Sequence, residues 1–331
     1  MSEIKRAVIT AVGHYLPESR LTNNDLEKMV ETNDEWIQTR TGIKERRILK
    51  DKDKATAFMG AEAAKEALEQ RGISAEEIDL IIVATVTPDY LFPATACRVQ
   101  HMIGASNAYG FDVSAACSGF LFALTTGANF IESGRAKKVL VIGADKMSSI
   151  VDYTDRSTCI LFGDGGAAVL LEESEDETGI LDYIHHTEGD TTNALYQPGG
   201  GSLNPANADT VANNLHYVKQ CGQTVFKKAI VGMADVAAEI MEKNNLSADD
   251  VAWLVPHQAN MRIIDATAKR MGLDRNKVMI NIQDYGNTTA ATIPLCLYDW
   301  KDKLNHGDNL ILAAFGGGYT WGSIYVKWGM K

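Results

Sequence analysis

The chain has 331 residues, of which 45% are apolar and 23% are charged, a balance typical of one or two well-packed globular domains. Its formal net charge of −11 argues against wholesale binding to nucleic acid or to an anionic membrane surface. It contains no uninterrupted apolar stretch of about 18 residues, the length a membrane-spanning helix needs, so none is predicted.

The N-terminal residues 1–6 and the cysteines both predict a cytoplasmic protein. Residues 1–6 run directly into a strand-like segment, without the basic, apolar and small-residue regions of a secretory signal. The cysteines are odd in number, widely spaced and without a C-x-x-C pair, which favours reduced thiols over disulfides or a zinc site. They are Cys97, Cys117, Cys159, Cys221 and Cys296.

Apolar runs alternate with helical patterns along the first half of the chain. Residues 56–70 are alanine-rich with helical spacing, and Gly72 ends that helix. Residues 79–86, 138–144 and 167–171 are short apolar runs rich in β-branched residues, typical of buried strands. Strands that alternate with helices predict an α/β fold with mainly parallel sheets.

An internal repeat is the clearest sign of how the chain is organised. The segment from Ala64 reads AKEALEQRGISAEEIDLIIV, and the segment from Ala237 reads AAEIMEKNNLSADDVAWLVP. Each consists of a helical pattern, a short turn with two acidic residues, and a buried strand. Ser74 and Ser247 occupy the same position in the two turns, and this pairing sets the offset of the repeat.

A second pair of similar segments supports the repeat. LFGDGG at residues 161–166 and AFGGG at residues 314–318 each precede an apolar strand. We therefore predict two similar halves, 1–172 and 173–331. The acidic run at residues 172–177 is the predicted seam between them.

Cys117 lies where a strand-like stretch, FDVS, passes through small residues into a helical pattern, GFLFALTTGANFI. A cysteine at such a junction meets unpaired N–H groups and the positive end of the helix dipole, which favour the thiolate. Small neighbours leave room for a substrate to approach the sulfur. From the residues alone, a buried and inert thiol remains an equal alternative.

Three further segments carry polar or flexible residues at the expected ends of elements. His257 follows the second-half strand, at the strand edge where ligands usually meet an α/β sheet. Asn287 opens a small-residue helix start, as Cys117 does in the first half. Residues 316–318 are three glycines whose backbone N–H groups could approach a substrate oxygen. A structural histidine, a Gly-Asn turn and a tight hairpin are the alternative interpretations.

Several motifs occur together in the order of one known family. The chain carries Cys117 in SAACSGF, His257 in PHQAN, Asn287 in YGNT, and FGGGYTWG from Phe315, together with DEWI, RTGI and FGDG. Over essentially its whole length it resembles β-ketoacyl-[acyl-carrier-protein] synthase III, the initiating condensing enzyme of bacterial fatty acid synthesis. The resemblance implies the thiolase fold, with two duplicated halves in α-β-α-β-α layers, and a homodimer.

The resemblance also implies catalytic roles. Cys117 would take the acyl group of an acyl-CoA, while the backbone N–H groups of Cys117 and Gly318 form an oxyanion hole. His257 and Asn287 would bind the thioester carbonyl of malonyl-acyl carrier protein and stabilise the enolate that forms when CO₂ leaves. The product would be a 3-oxoacyl-acyl carrier protein. Coenzyme A enters as a thioester substrate, and the mechanism needs no metal or resident cofactor.

Binding residues are implied in the same way. Trp36 and Arg156 would sandwich the coenzyme A adenine, Gln258 and Arg262 would receive the acidic carrier protein, and Phe92 would reach across the dimer to the acyl pocket. The full set implied for coenzyme A is Thr32, Trp36, Arg40, Arg156, Gly222, Phe226 and Asn260.

Related chemistries are less compatible with the motifs. Elongating ketoacyl synthases have a second histidine where this chain has Asn287, and thiolases need a second catalytic cysteine, whereas Cys296 is in an apolar context. A hydroxymethylglutaryl-CoA synthase would need a catalytic glutamate, and chalcone-synthase-like enzymes are usually longer. A type III ketoacyl synthase of a specialised pathway is the nearest alternative. A cysteine hydrolase and a non-catalytic acyl-binding protein remain from other classes.

The identity of the acyl primer is not predicted. Thr289 and Tyr319 depart from the commonest family pattern close to the expected site. Acetyl, propionyl, branched and longer acyl groups therefore all stay open.

Overall fold

The computed structural model describes residues 6–189 and 192–330. The prediction of no secretory signal rests on residues 1–6. Of these, residues 1–5 lie outside the described residues. None of the described helices has the length and apolar character needed to cross a membrane. The five cysteines are all free thiols.

The strands, numbered in chain order, are β1 (Ala7–Tyr15), β2 (Arg20–Thr22), β3 (Glu45–Arg47), β4 (Leu80–Ala84), β5 (Tyr109–Val113), β6 (Lys138–Lys146), β7 (Asp164–Glu173), β8 (Gly179–Thr187), β9 (Leu195–Tyr196), β10 (Lys219–Gln220), β11 (Trp253–Pro256), β12 (Asn309–Gly316) and β13 (Thr320–Lys327). The α-helices are α1 (Asn23–Leu26), α2 (Asp34–Thr41), α3 (Thr56–Arg71), α4 (Thr95–Ile103), α5 (Gly119–Glu132), α6 (Arg156–Cys159), α7 (Ala208–Ala212), α8 (Gly222–Lys243), α9 (Met261–Met271), α10 (Ile282–Tyr285) and α11 (Thr292–Trp300). Single 3₁₀ turns include Ala75–Glu77, Ala116–Ser118, Met147–Ser149, Arg275–Lys277, Thr289–Ala291 and Lys301–Lys303.

The first sheet has the strand order β1-β7-β6-β4-β5. The three strands predicted from apolar runs correspond to β4, β6 and β7, and the predicted helix corresponds to α3. The expectation of mainly parallel sheets is wrong, because β4 pairs in parallel with β5 and β6, whereas β7 is antiparallel to both β6 and β1. The sheet is therefore mixed.

The second sheet repeats this arrangement with one strand fewer. Its order is β11-β12-β13-β8, with β11 parallel to β12 and the other pairs antiparallel. The antiparallel pairing of β12 with β13 follows from the tight turn that joins them, since such a connection cannot produce a parallel pair. An isolated parallel bridge between Leu254 and Val278 stands beside β11, where the first sheet has β5 beside β4.

Three apolar clusters define five layers. Helices α5 and α11 contribute Phe120, Leu124 and Ile293 to a cluster that also contains core residues of both sheets, so these helices lie between the sheets. Helices α3 and α4 pack on the outer face of the first sheet. Helices α8 and α9 pack on the outer face of the second. The predicted α-β-α-β-α arrangement is confirmed.

The internal repeat is visible in backbone conformation as well as in sequence. Helix α3 ends at Gly72 with φ +72°, and the turn after α8 contains Asn245 with φ +53°, at the position that the repeat makes equivalent. Both are in the left-handed region that commonly ends helices and that glycine and asparagine tolerate best. Sheet membership changes between β7 and β8, near the predicted seam. The boundary between residues 172 and 173 itself stays a prediction.

Candidate active site

A cavity of about 750 Å³ brings together the three residues for which catalytic roles were predicted. Cys117 comes from the first half of the chain, and His257 and Asn287 come from the second half. Each follows the end of a strand or opens a turn that leads into a helix. The structure therefore places all three on one cavity wall, while their catalytic roles stay predictions.

The turn that holds Cys117 is packed against the end of β12. The hydroxyl of Ser118 donates to the carbonyl of Thr320 (2.6 Å), and the Thr320 hydroxyl donates to the carbonyl of Ala115 (3.0 Å). A Cβ atom at Gly316 would lie 2.7 Å from the backbone nitrogen of Cys117, so only glycine permits this approach. These contacts lock the nucleophile turn onto the second half of the molecule.

The Cys117 thiol is harder to ionise than the sequence predicts. Burial and the negative charge of Asp145 raise its pKa from 9.0 to about 12, although a hydrogen bond with the Asn287 side chain opposes the rise. The expectation that the helix start makes this thiol ionise easily is therefore wrong. Only 7% of Cys117 is exposed, and this desolvation outweighs the favourable hydrogen bond. The raised pKa favours a neutral thiol in the resting site.

His257 is held as a neutral imidazole. Its backbone N–H donates to the carbonyl of Ala313 (2.8 Å), and its Nδ1 lies 2.7 Å from the hydroxyl oxygen of Thr292. Burial lowers the pKa of the ring from 6.5 to about 3. Its Nε2 is buried and has no hydrogen-bond partner among the described residues. The ring therefore has one free nitrogen to offer a ligand in the cavity.

Asn287 is fixed by hydrogen bonds of its backbone and of its side-chain oxygen. Its N–H donates to Leu161 (2.9 Å), and its carbonyl accepts from Gly163 (3.0 Å). The side-chain oxygen Oδ1 accepts from the backbone N–H of Thr289 (2.8 Å). This bond commits the oxygen and leaves the amide NH₂ free to donate toward the thiol and the cavity.

Sequence reasoning missed the residues that orient these side chains. Thr292 contacts the His257 ring and looks like an ordinary helix-start residue in the sequence. Thr289 contacts Asn287; the sequence placed it near the expected site but gave it no orienting role. Asp145 lies near Cys117 at the end of a predicted strand. An acidic residue directly after the apolar run at residues 138–144 was the available signal for Asp145.

Gly318 lies in the turn between β12 and β13, with φ +145°, a conformation that strongly favours glycine. It lines a second cavity, of about 350 Å³, which shares Cys117 with the larger one. The larger apolar residues around this second cavity are Val86, Met147, Ile150, Phe162, Leu195 and Val218. The cavity can accept an apolar group attached to the sulfur, and the predicted oxyanion role of Gly318 stays a prediction.

The residues predicted to bind coenzyme A fall into two groups. The larger cavity is lined by Trp36, Arg40, Gly222, Phe226 and Asn260. The other two, Thr32 and Arg156, are not among the described residues that form its wall.

Arg156 lies directly over the Trp36 ring, with 5.1 Å from the guanidinium carbon to the ring centroid, and donates to the carbonyl of Glu31 (2.9 Å). No adenine fits between two groups already in contact. The predicted sandwich therefore requires the Arg156 side chain to move away from Trp36 first.

The two residues predicted to bind the carrier protein differ sharply in their exposure. Arg262 is exposed at the cavity rim, with its guanidinium 4.6 Å from the centroid of the Phe226 ring. Gln258 is fully buried; its amide donates to the carbonyl of Pro256 (2.7 Å), and its oxygen accepts from the N–H of Asn281 (3.2 Å). The prediction for Gln258 is wrong, because a side chain enclosed in this way cannot reach another protein.

Phe92 and the neighbouring Leu91 are each 85% exposed. They lie in the loop between β4 and α4.

Within the described residues, no group of three or more His, Cys, Asp or Glu side chains is arranged to hold a metal ion. The absence of a metal and of a resident cofactor stays a prediction.

Comparison with known proteins identifies the family. Two family models match: 3-oxoacyl-[acyl-carrier-protein] synthase III at residues 111–189, and its C-terminal part at residues 241–328. The chain is 60% identical to the β-ketoacyl-[acyl-carrier-protein] synthase III of Chlorobium phaeovibrioides, over 97% of this chain and 99% of the relative. It is 56% identical to the enzyme of the same name from Porphyromonas gingivalis, over 97% and 96% of the two chains.

Solved structures give the same result. The 3-oxoacyl-[acyl-carrier-protein] synthase III of Aquifex aeolicus matches with a TM-score of 0.90 and 46% identity, covering 97% of this chain and 100% of that one. The priming β-ketosynthase of the R1128 polyketide pathway matches with a TM-score of 0.91 and 31% identity, covering 99% and 98%. These similarities extend over the whole fold and include the segments that carry Cys117, His257 and Asn287. The chain therefore belongs to the β-ketoacyl-[acyl-carrier-protein] synthase III family of condensing enzymes.

Proposed function

We propose that the chain condenses an acyl-CoA primer with malonyl-acyl carrier protein, releasing CO₂ and coenzyme A and forming the 3-oxoacyl-acyl carrier protein that starts fatty acid synthesis. The observation that carries this proposal is the cavity whose wall contains a thiol, a neutral imidazole and a carboxamide with its NH₂ group free to donate. Full-length similarity to enzymes of that name supports the choice of substrates.

In the first step, the Cys117 sulfur attacks the carbonyl carbon of the acyl-CoA. The carbon–sulfur bond to coenzyme A breaks, and the thiol proton ends on the departing coenzyme A sulfur. Burial raises the pKa of the Cys117 thiol, which favours loss of its proton as the sulfur attacks rather than beforehand. The developing oxyanion would be bound by the backbone N–H groups of Cys117 and Gly318.

In the second step, malonyl-acyl carrier protein replaces coenzyme A. The Thr292 hydroxyl donates to the Thr289 carbonyl (3.0 Å), so in this arrangement it accepts from Nδ1 of His257. If the hydroxyl turns to donate to Nδ1 instead, the proton of the neutral ring lies on Nε2 and faces the cavity. This N–H and the Asn287 amide donate to the thioester carbonyl, so that the electron pair released with CO₂ forms an enolate. The enolate carbon attacks the acyl carbonyl, and the Cys117 sulfur leaves and regains a proton.

Partners and assembly belong to the same proposal. Arg262 at the rim offers an exposed positive charge to the acidic carrier protein. The exposed Leu91 and Phe92 fit a homodimer in which Phe92 of one subunit helps to close the acyl cavity of the other. A cytoplasmic location agrees with the free thiols.

Intact-protein mass spectrometry after incubation with a panel of acyl-CoAs tests the first step. We expect the mass gain of one acyl group in the wild type and none in Cys117→Ser, and the preferred acyl-CoA identifies the primer. Addition of malonyl-acyl carrier protein should then remove the acyl group and release CO₂. If no acyl-CoA labels the wild type above the Cys117→Ser background, the proposal is wrong.

A further inference from the structure

Asp145, at the end of β6, is a fully buried carboxylate whose described partners are all hydrogen-bond donors. Its Oδ1 accepts from the hydroxyls of Thr85 (2.9 Å) and Thr87 (2.9 Å) and from the backbone N–H groups of Val86 (2.8 Å) and Thr87 (3.1 Å). Its Oδ2 accepts from the Thr289 hydroxyl and, more weakly, from the N–H of Ala290 (3.4 Å). None of the described partners is a cation. The condensation steps described above give the Asp145 carboxylate no role.

Thr289 is the residue through which Asp145 reaches the active site. Its backbone N–H donates to Oδ1 of Asn287 (2.8 Å). Its carbonyl lies 3.0 Å from the Thr292 hydroxyl, which in turn lies 2.7 Å from Nδ1 of His257. One residue thus touches both the carboxamide and the hydroxyl that orients the imidazole.

The backbone of Thr289 also needs support from outside its own turn. Its φ is +51°, a left-handed conformation that is unusual for a β-branched residue and persists only where surrounding contacts enforce it. The bond from its hydroxyl to Asp145 is such a contact. Gly143, two residues before Asp145 on the same strand, lets the Thr289–Ala291 turn approach closely, since a Cβ atom there would overlap the carbonyl of Ala290.

We propose that Asp145 is a positioning residue that, by anchoring Thr289, holds Asn287 and His257 in place against Cys117. This inference rests on the proposed condensing function and adds a residue to it. It also gives a carboxylate near the sulfur a role, although its negative charge raises the pKa of the Cys117 thiol. The carboxylate supplies acceptors to a set of donors that no neutral side chain of similar size matches.

Asp145→Asn tests the proposal with little change in shape. An amide nitrogen on the Oδ2 side would face the N–H of Ala290, donor against donor, and on the Oδ1 side it would face two backbone N–H groups. We expect condensation with malonyl-acyl carrier protein to fall about 10²-fold, the loss that a displacement of about 1 Å produces. Acylation of Cys117 by acyl-CoA should still reach full stoichiometry.

The same variant should ionise its thiol more easily, because one of the two causes that raise the Cys117 pKa is removed. Alkylation of Cys117 by iodoacetamide should therefore shift to lower pH while condensation slows. A purely structural defect would not produce these opposite effects. Asp79→Asn is the matched control, since Asp79 accepts from the N–H groups of Lys137 and Lys138 at the opposite end of β6.

A second pair of variants covers the case in which Asp145→Asn does not fold. Thr289→Val removes the hydroxyl and keeps the branched shape, whereas Thr289→Ser keeps the hydroxyl. We expect Thr289→Val to lose condensation and Thr289→Ser to retain most of it.

Condensation at the wild-type rate in folded Asp145→Asn, or equal loss in both Thr289 variants, overturns the role of Asp145. Failure of the wild type to become acylated would instead overturn the proposed function. The alkylation profile needs no substrate, so it tests the effect of Asp145 on the thiol in either case.

Discussion

The two halves of the molecule use equivalent turns for different purposes. We call residues 114–119, around Cys117, the nucleophile junction, and residues 287–292, around Asn287, the helper junction. The offset of the internal repeat, which pairs Ser74 with Ser247, also superposes these two segments. Each contains a 3₁₀ turn that leads into a helix between the sheets, and each has one left-handed residue at the matching position, Ala116 (φ +47°) and Thr289 (φ +51°).

Glycines allow both junctions to approach the opposite half. Gly143 on β6 faces the helper junction, and Gly316 on β12, its equivalent in the repeat, faces the nucleophile junction. Any larger side chain at either position would overlap backbone atoms of the turn. The close contact between halves is therefore reciprocal.

The difference lies two residues beyond these glycines. The first half has Asp145 there, and the second half has Gly318. Asp145 fills the space behind the helper junction with a carboxylate that fixes side chains. Gly318 leaves space beside Cys117, where a substrate can reach the backbone. One half therefore uses this position to fix side chains, and the other half leaves it open for a substrate.

The largest effects should separate the two junctions by reaction step. Cys117→Ser should abolish acylation by acyl-CoA, because no thiol remains to attack. His257→Ala and Asn287→Ala should keep acylation but slow decarboxylation of malonyl-acyl carrier protein about 10²–10³-fold, the usual cost of losing one donor to an oxyanion. Release of CO₂ and the mass of the acylated protein measure the two steps.

His101→Ala, which changes an exposed histidine, is the control for these variants. Loss of acylation in His257→Ala equal to that in Cys117→Ser would contradict the division of roles between Cys117 and the pair His257 and Asn287.

The glycine pair should show the next largest effects. Gly316→Ala and Gly143→Ala should each lower the free energy of unfolding by about 1–3 kcal/mol, since an added methyl group overlaps backbone atoms. Gly316→Ala should mainly slow acylation, and Gly143→Ala should mainly slow decarboxylation. Urea unfolding and the two partial reactions check this, and a reversed pattern of rates would contradict the assignment of one reaction step to each junction.

The sequence predicted what depends on local pattern and on the resemblance. The strands β4, β6 and β7, helix α3, and the grouping of Cys117, His257 and Asn287 all follow from runs and motifs that are visible in the chain. The mixed sheets did not follow, because apolar runs do not show strand direction, which depends on how successive strands are connected, as in the tight turn between β12 and β13.

What the sequence missed depends on contacts between distant segments. The raised pKa of Cys117 comes from burial and from Asp145, which no local motif shows. Gln258 follows His257 directly, but neighbouring residues of extended chain point to opposite sides, so only His257 faces the cavity. The contact of Arg156 with Trp36 joins two elements that are far apart in the chain.

Stability should also fall at both ends of the pH scale, at acid pH through His257, which contacts the helper junction, and at alkaline pH through Cys117 in the nucleophile junction. Burial holds the pKa of His257 at about 3 in the folded protein and 6.5 is its ordinary value, so between these pH values only the unfolded chain binds the proton. Stability contributed by this group is therefore complete above pH 6.5 and decreases as the pH falls toward 3.

Cys117 gives the opposite sign. Its pKa rises from 9.0 to about 12 on folding, so the folded protein keeps a proton that the unfolded chain releases in this range. Stability is complete below pH 9 and decreases as the pH rises toward 12. The free energy of unfolding, measured with urea at a series of pH values, should fall less steeply toward acid pH in His257→Gln than in the wild type. In Cys117→Ala it should fall less steeply toward alkaline pH. Unchanged slopes in both would contradict the assigned protonation states.

The smallest effect should come from the two left-handed residues, and it should differ in sign. Ala116→Gly relieves a conformation that costs a non-glycine residue about 1–2 kcal/mol, offset by about 0.4–1 kcal/mol of extra freedom in the unfolded chain. We expect its free energy of unfolding to rise by about 1 kcal/mol or less. Thr289→Gly relieves similar strain but removes the hydroxyl bond to Asp145, and hydrogen bonds to charged groups contribute about 1.5–3 kcal/mol. It should therefore lower stability, as measured by urea unfolding. A rise in both variants would mean that Asp145 does not hold the helper junction, and the contrast between a rigid junction and an open one would then lose its energetic basis.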